Sequence, residues 1–131
     1  MRYAGLLRVH AIRAKQGATF YIACSHGITI AGRMVFAVLG RDRILYTVMD
    51  NEVGKEYAVR MLMKMAWNVK IIRVRREGKI FRYTIPSSFA KALNIKKGDY
   101  VLALSTREDT LEIIPLGNVL EKIGKFEEPI I

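Results

Sequence analysis

Within the stretch VKIIRVRREGKIFR (69–82), six basic residues stand against a single acid, Glu77. They are Lys70, Arg73, Arg75, Arg76, Lys79 and Arg82. Guanidinium and ammonium groups at such density suit a polyanion. A row of them meets successive phosphates along a duplex, and arginine also makes bidentate contacts to guanine edges in the major groove. Arg73 and Arg75 alternate with Ile72 and Val74, which predicts that the two arginines share one face of a strand. The competing reading is a solvated face of a basic, heat-adapted protein. The whole chain of 131 residues carries a net charge of +10, which favours nucleic acid or an anionic membrane surface as partner.

Other chemistry finds little to stand on. His10 and His26 have no partners at metal-ligand spacing, so no metal and no other cofactor is expected. Cys24 is the only cysteine, which excludes an internal disulfide and fits a reducing cytoplasm; it reads as a buried, inert thiol. No Ser-His-Asp set and no phosphate-cradling glycine loop is present, so no catalytic residues are assigned and the chain reads as a non-enzyme. No apolar run reaches the roughly 20 residues of a membrane span. Charges interrupt the opening stretch, so no signal peptide is expected.

The elements that position the arginines follow from pattern. LLRVHAIRAKQG reads as one extended strand, TFYIAC as a second, and MVFAVL and ILYTVM as a hairpin about the turn GRDR. MVFAVL is apolar throughout and reads as buried on both faces. DNEVGKEYAVRMLMKMAW is an amphipathic helix. Asp50 or Asn51 caps it, and Val53, Tyr57, Met61 and Met65 form its apolar stripe, flanked by Ala58 and Leu62. VKIIRVRREG and KIFRYTI are again strands. A very short helix follows Pro86, and then come YVLALS and TLEIIP. A helix of two turns does not survive alone in water, so tertiary packing must hold it.

The halves repeat. IRAKQGATF matches IRVRREGKIF, and GRMVFAVLGRDRILYTV aligns without gaps with GDYVLALSTREDTLEII. The first copy is about five residues shorter between these blocks and lacks the short helix. The expected organisation is a degenerate repeat (1–50), a linker helix (51–68), a second repeat (69–115) and a tail (116–131). Each repeat has a strand it cannot cover alone, so two copies are expected to clasp and remove the sheet edges.

The run GKIFRYTIPSSFAKALNIKKGDYVLAL, followed by LEIIP, resembles the SpoVT/AbrB-type swapped-hairpin DNA-binding family. The resemblance spans 69–115. Asn94 stands where that family usually has glycine, at a helix end where the backbone turns left-handed and asparagine is the next-best residue. The tandem plan resembles MraZ-like proteins of the same superfamily. The fold implied is mainly β with short helices: tandem swapped-hairpin β-barrel units joined by an amphipathic helix. Pro86, Gly98 and Asp99 are then fold residues, and Ser87 or Ser88 caps the short helix. Phe89 and Leu93 point into the core.

The resemblance implies that the first hairpin of each unit and its flanking loop touch nucleic acid. That selects Arg73, Arg75, Arg76, Lys79 and Arg82 in the second copy. Arg13 and Lys15 are taken as their equivalents in the first, with Arg8 further up the strand. The expected function is a DNA-binding transcriptional regulator whose partner is double-stranded DNA, with a lopsided contact surface. One alternative is an antitoxin-like or other protein-interaction module with weak or no DNA binding, which docks a toxin-like or other protein partner through the degenerate first copy and the tail NVLEKIGKFEEPII. The other is an RNA-binding protein, disfavoured because Phe81 and Tyr83, the aromatics among the arginines, belong to the core by alternation. Pairing of the halves within one chain, as a pseudo-dimer, is expected over a homodimer of like halves.

Overall fold

The computed structural model describes residues 2–14, 17–30, 32–64 and 68–117, the side chains of 14, 17, 63 and 64 excepted. Of the residues singled out by sequence, Lys15, Met65 and the tail from 118 to 131 lie outside these. Among the described residues the fold is mainly β, with two short helices and two antiparallel sheets.

The first extended run is two strands, β1 (Tyr3–Arg8) and β2 (His10–Ala14). They meet at Val9, where the chain leaves one sheet for the other. Val9 is buried, and its amide donates to the Asp99 carbonyl (2.8 Å) while its carbonyl accepts from Gly98 N–H (2.9 Å). The same corner recurs at Val74, between β6 (Val69–Arg73) and β7 (Arg75–Glu77). Val74 N–H donates to the Arg33 carbonyl (3.0 Å), and Gly32 N–H to the Val74 carbonyl (2.7 Å). Gly32 and Gly98 reach these carbonyls with φ of 88° and 89°, a conformation glycine adopts without steric cost. Arg73 and Arg75 therefore do not share a strand face, as alternation predicted. The buried valine between them is a corner that separates them into different sheets.

The remaining strands are β3 (Gly17–Cys24), β4 (Met34–Leu39), β5 (Ile44–Val48), β8 (Ile80–Ile85), β9 (Tyr100–Ser105) and β10 (Thr110–Pro115). The six-stranded sheet runs β1-β9-β10-β5-β4-β6, and the four-stranded sheet runs β2-β3-β8-β7. Both orders read the same from either end once each strand is exchanged for its counterpart in the other half. The registers obey the same exchange: Phe20 faces Ile85, Cys24 faces Phe81, and Ile22 faces Tyr83 at the centre. Each sheet thus draws on both halves within one chain. The expected closure into a barrel is not seen; among the described residues the strands form two open sheets, with β1, β6, β2 and β7 at the edges.

The registers also correct the alignment of the halves. Val38 faces Leu45, whereas its counterpart Leu104 faces Glu112, so the β9–β10 loop is one residue longer than the β4–β5 loop. The β2–β3 hairpin outruns the β7–β8 hairpin. Ile12 faces Thr19 as Glu77 faces Ile80, but the first hairpin continues through Arg13 opposite Ala18 and Ala14 opposite Gly17.

Between the sheets lies the main core, including Ile22, Ile44, Tyr46, Tyr83, Ile85, Phe89 and Ile113. Burying each such side chain contributes roughly 1.5–3 kcal/mol. The buried Tyr46 hydroxyl donates to the Thr84 carbonyl (2.8 Å), and the Tyr46 and Tyr83 rings meet at 5.4 Å. Desolvation pushes both phenols well above their ordinary range.

Helix α1 (Glu52–Lys64) follows β5. Of the two candidate caps, Asn51 acts: its Oδ1 accepts from Gly54 N–H, and Glu52 occupies the first turn, both favourable at a helix N-terminus. A Cβ at Gly54 would lie 2.1 Å from the Val48 carbonyl oxygen, so the end of β5 leaves room for no side chain. Tyr57, Ala58 and Met61 pack on Phe36, Val38 and Val69, and Val53 is half-buried. Leu62, expected beside this stripe, is 86% exposed. Among the described residues no helix is long and apolar enough to cross a membrane.

Helix α2 (Ser87–Ala92) is the short helix after Pro86. Neither serine caps it. Pro86 is the N-cap and makes no side-chain cap bond, and its carbonyl accepts from Phe89 N–H (2.9 Å) and Ala90 N–H (3.0 Å). Phe89 is fully buried and Leu93 packs against the core, as expected. At the far end Asn94 takes φ 55°, Asn94 N–H donates to the Lys91 carbonyl and Ile95 N–H to the Ala90 carbonyl. This is a Schellman end with asparagine in the left-handed position and a buried Ile95 behind it. The Asp99 carboxylate then accepts from Lys96 N–H (2.9 Å), which closes the turn in which Gly98 sits.

Candidate nucleic-acid interface

Hairpin β7–β8 turns through Gly78 and Lys79, with Gly78 at φ 59°. A two-residue turn with glycine first at positive φ matches the twist of the strands it joins. The register sets Arg75 opposite Arg82, Arg76 opposite Phe81 and Glu77 opposite Ile80. Phe81, Tyr83 and Ile85 belong to the core side of the sheet, so alternation turns Arg75, Glu77, Ile80, Arg82 and Thr84 outward.

Two guanidinium groups directly across a strand pair repel. Here Arg82 is drawn aside. It pairs with Glu77 (2.7 Å) and lies 4.8 Å from the centroid of the Tyr21 ring, a cation–π geometry. The Tyr21 ring in turn stacks on His10 (5.3 Å, 24° between planes). Arg82 is thereby held in one orientation with its side chain 27% exposed. Arg75 is exposed and makes no ion pair among the described residues. Arg76 turns toward the core side at the edge: its Nε donates to the Gly78 carbonyl (2.6 Å) and its guanidinium lies 5.5 Å from the Phe81 centroid. Lys79 is exposed at the turn. A shallow groove crosses the outward face between Ile12 and Thr19 on one side and Arg75 and Arg82 on the other, with Tyr21 and Thr84 along it.

The structure thus brings Arg75, Arg76, Lys79 and Arg82 together on one hairpin. Arg73 sits one residue before the Val74 corner, on edge strand β6, opposite Met34. Arg8 occupies the matching place on edge strand β1, opposite Tyr100, with its guanidinium 5.4 Å from that ring. Arg13 is exposed on the longer first hairpin. Arg13 is therefore not the equivalent of Arg73 or Arg75; the registers put Arg8 and His10 in those positions. Sequence reasoning missed Tyr21 and His10, because their approach to Arg82 depends on β3 pairing with β8 across the halves. Among the described residues no group of three His, Cys, Asp or Glu side chains could hold a metal.

No protein-family model, characterised protein or solved structure matches the chain.

Proposed function

We propose that the protein is a DNA-binding transcriptional regulator of the AbrB type, acting in the cytoplasm and contacting duplex DNA through the β7–β8 hairpin. One observation carries this reading: Arg75, Arg76, Lys79 and Arg82 cluster on the β7–β8 hairpin at the edge of the four-stranded sheet, and its tip from Glu77 to Ile80 runs past the β3–β8 pairing as a two-stranded ribbon. A two-stranded ribbon fits the major groove of B-DNA, and arginine reads guanine there. Arg73 and Arg8 extend the positive surface past the two corners. The interleaved strand order supports the finer architecture, a swapped-hairpin pseudo-dimer in which the opening strand of each half pairs with the closing hairpin of the other.

The test is a titration of the full chain with duplex DNA at two salt concentrations, with single-stranded RNA of the same sequence as competitor. Neutralising six phosphates implies a loss of about a thousandfold in affinity between about 50 and 200 mM salt. Salt-independent binding, or none at low salt, contradicts the reading. Stronger competition by the RNA transfers the function to single strands, a role in which Tyr21 would serve as a stacking surface.

A further inference from the structure

We infer that a single chain reads a duplex element without dyad symmetry, its base contacts supplied by the second half. The inference rests on the duplex-binding function proposed above and concerns the form of the target.

A symmetric homodimer presents two identical reading heads, and its operator mirrors that two-fold axis. Here the axis is present in the backbone and broken in the side chains. The pair His10 and Tyr21 occupies the place of Arg75 and Arg82, and Ala11 opposite Phe20 the place of Arg76 opposite Phe81. Ile12 stands where the second half has Glu77, so the carboxylate that orients Arg82 also has no mate. Three arginines of the second head thus face a histidine, an alanine and a tyrosine across the axis. Tyr21 is moreover engaged in holding Arg82, so a residue of the first half serves the second half's head.

The backbone breaks the symmetry as well. The first hairpin runs two residue pairs further than the second before it turns, and carries Arg13 out along this extension. Cations at different distances from the axis meet different positions along a duplex. A palindrome would offer the first head a half-site for which it has no matching donors.

Enrichment of bound sequences from randomised duplexes, using the full chain, tests this directly. Affinities of Arg75→Ala and of its symmetry mate His10→Ala on the enriched duplex complete the test. A motif lacking dyad symmetry is expected, with a loss of about tenfold for Arg75→Ala and a clearly smaller loss for His10→Ala. Thermal melting of both variants should match the parent, since both side chains are exposed. A palindromic motif, no motif, or equal losses overturns the inference and leaves duplex binding standing. Absence of duplex binding at low salt removes the proposed function and this inference together.

Discussion

Both halves must return the chain from the four-stranded sheet to the six-stranded one, and they do so by different means. The second half uses α2, a Schellman end and a glycine turn, all specified by neighbouring residues. From elsewhere in the chain it takes the burial of Phe89, Ala90 and Ile95 and the bonds that join Gly98 and Asp99 to Val9. The first half, with five fewer residues, has no helix among its described residues and is held from outside. The Tyr83 hydroxyl donates to the His26 carbonyl (2.6 Å) and accepts from Ile28 N–H (3.2 Å). Tyr3 stacks on His26 at 5.3 Å, and a Cβ at Gly27 would come within 2.5 Å of the Phe81 ring. The two routes finish at equivalent corners, Gly32 bonding to Val74 and Gly98 to Val9. A connection coded locally and one coded by distant side chains can thus end in the same geometry.

The comparison can be broken first at α2. Phe89→Ala leaves a cavity beneath the short helix and should cost about 3–5 kcal/mol in denaturant unfolding. A cost under about 1 kcal/mol would show that packing does not hold α2. A smaller effect is expected at the other connection. Tyr83→Phe strips both bonds from the loop after Cys24 and should cost about 1–3 kcal/mol, with amide exchange at Ile28 accelerated more than at Ile95. Equal acceleration at the two amides would mean that the first connection does not depend on this hydroxyl.

The smallest effect concerns pH. Burial, aided by the nearby Arg2 charge, holds the His26 imidazole below its ordinary range. The folded chain therefore favours neutral His26, and the unfolded chain takes up its proton more readily. Stability from this group is present above the unfolded value, about 6.5, and is lost as pH falls below it. His26→Phe, which keeps a ring against Tyr3, should flatten the decline in melting temperature between pH 7 and about pH 5. An unchanged slope would assign that decline to other groups.

The same contrast explains what could be read from sequence. The second half was legible because its signals are local: Pro86, Asn94, Gly98 and Asp99 each set the backbone where they stand. The strand hairpins and α1 were legible from periodicity. The corners at Val9 and Val74 were hidden, because a buried valine in phase with the alternation looks like any strand residue. The counterparts of the arginines were misplaced for a related reason. Matching Arg13 to Arg73 by residue type overlooked the longer first hairpin, and only strand pairing reveals that length. The Tyr21 contact was out of reach because it joins residues of opposite halves through the β3–β8 ladder.

The central claim is that the β7–β8 hairpin and the outward face beside it are where duplex DNA lands. Amide chemical-shift mapping of the full chain, titrated with a duplex at low salt, tests it most directly. The account predicts that the largest shifts fall on β7 and β8 and around Tyr21, with those on α1 and on the 106–109 loop staying small. Shifts concentrated on α1, with the hairpin amides unmoved, would contradict it.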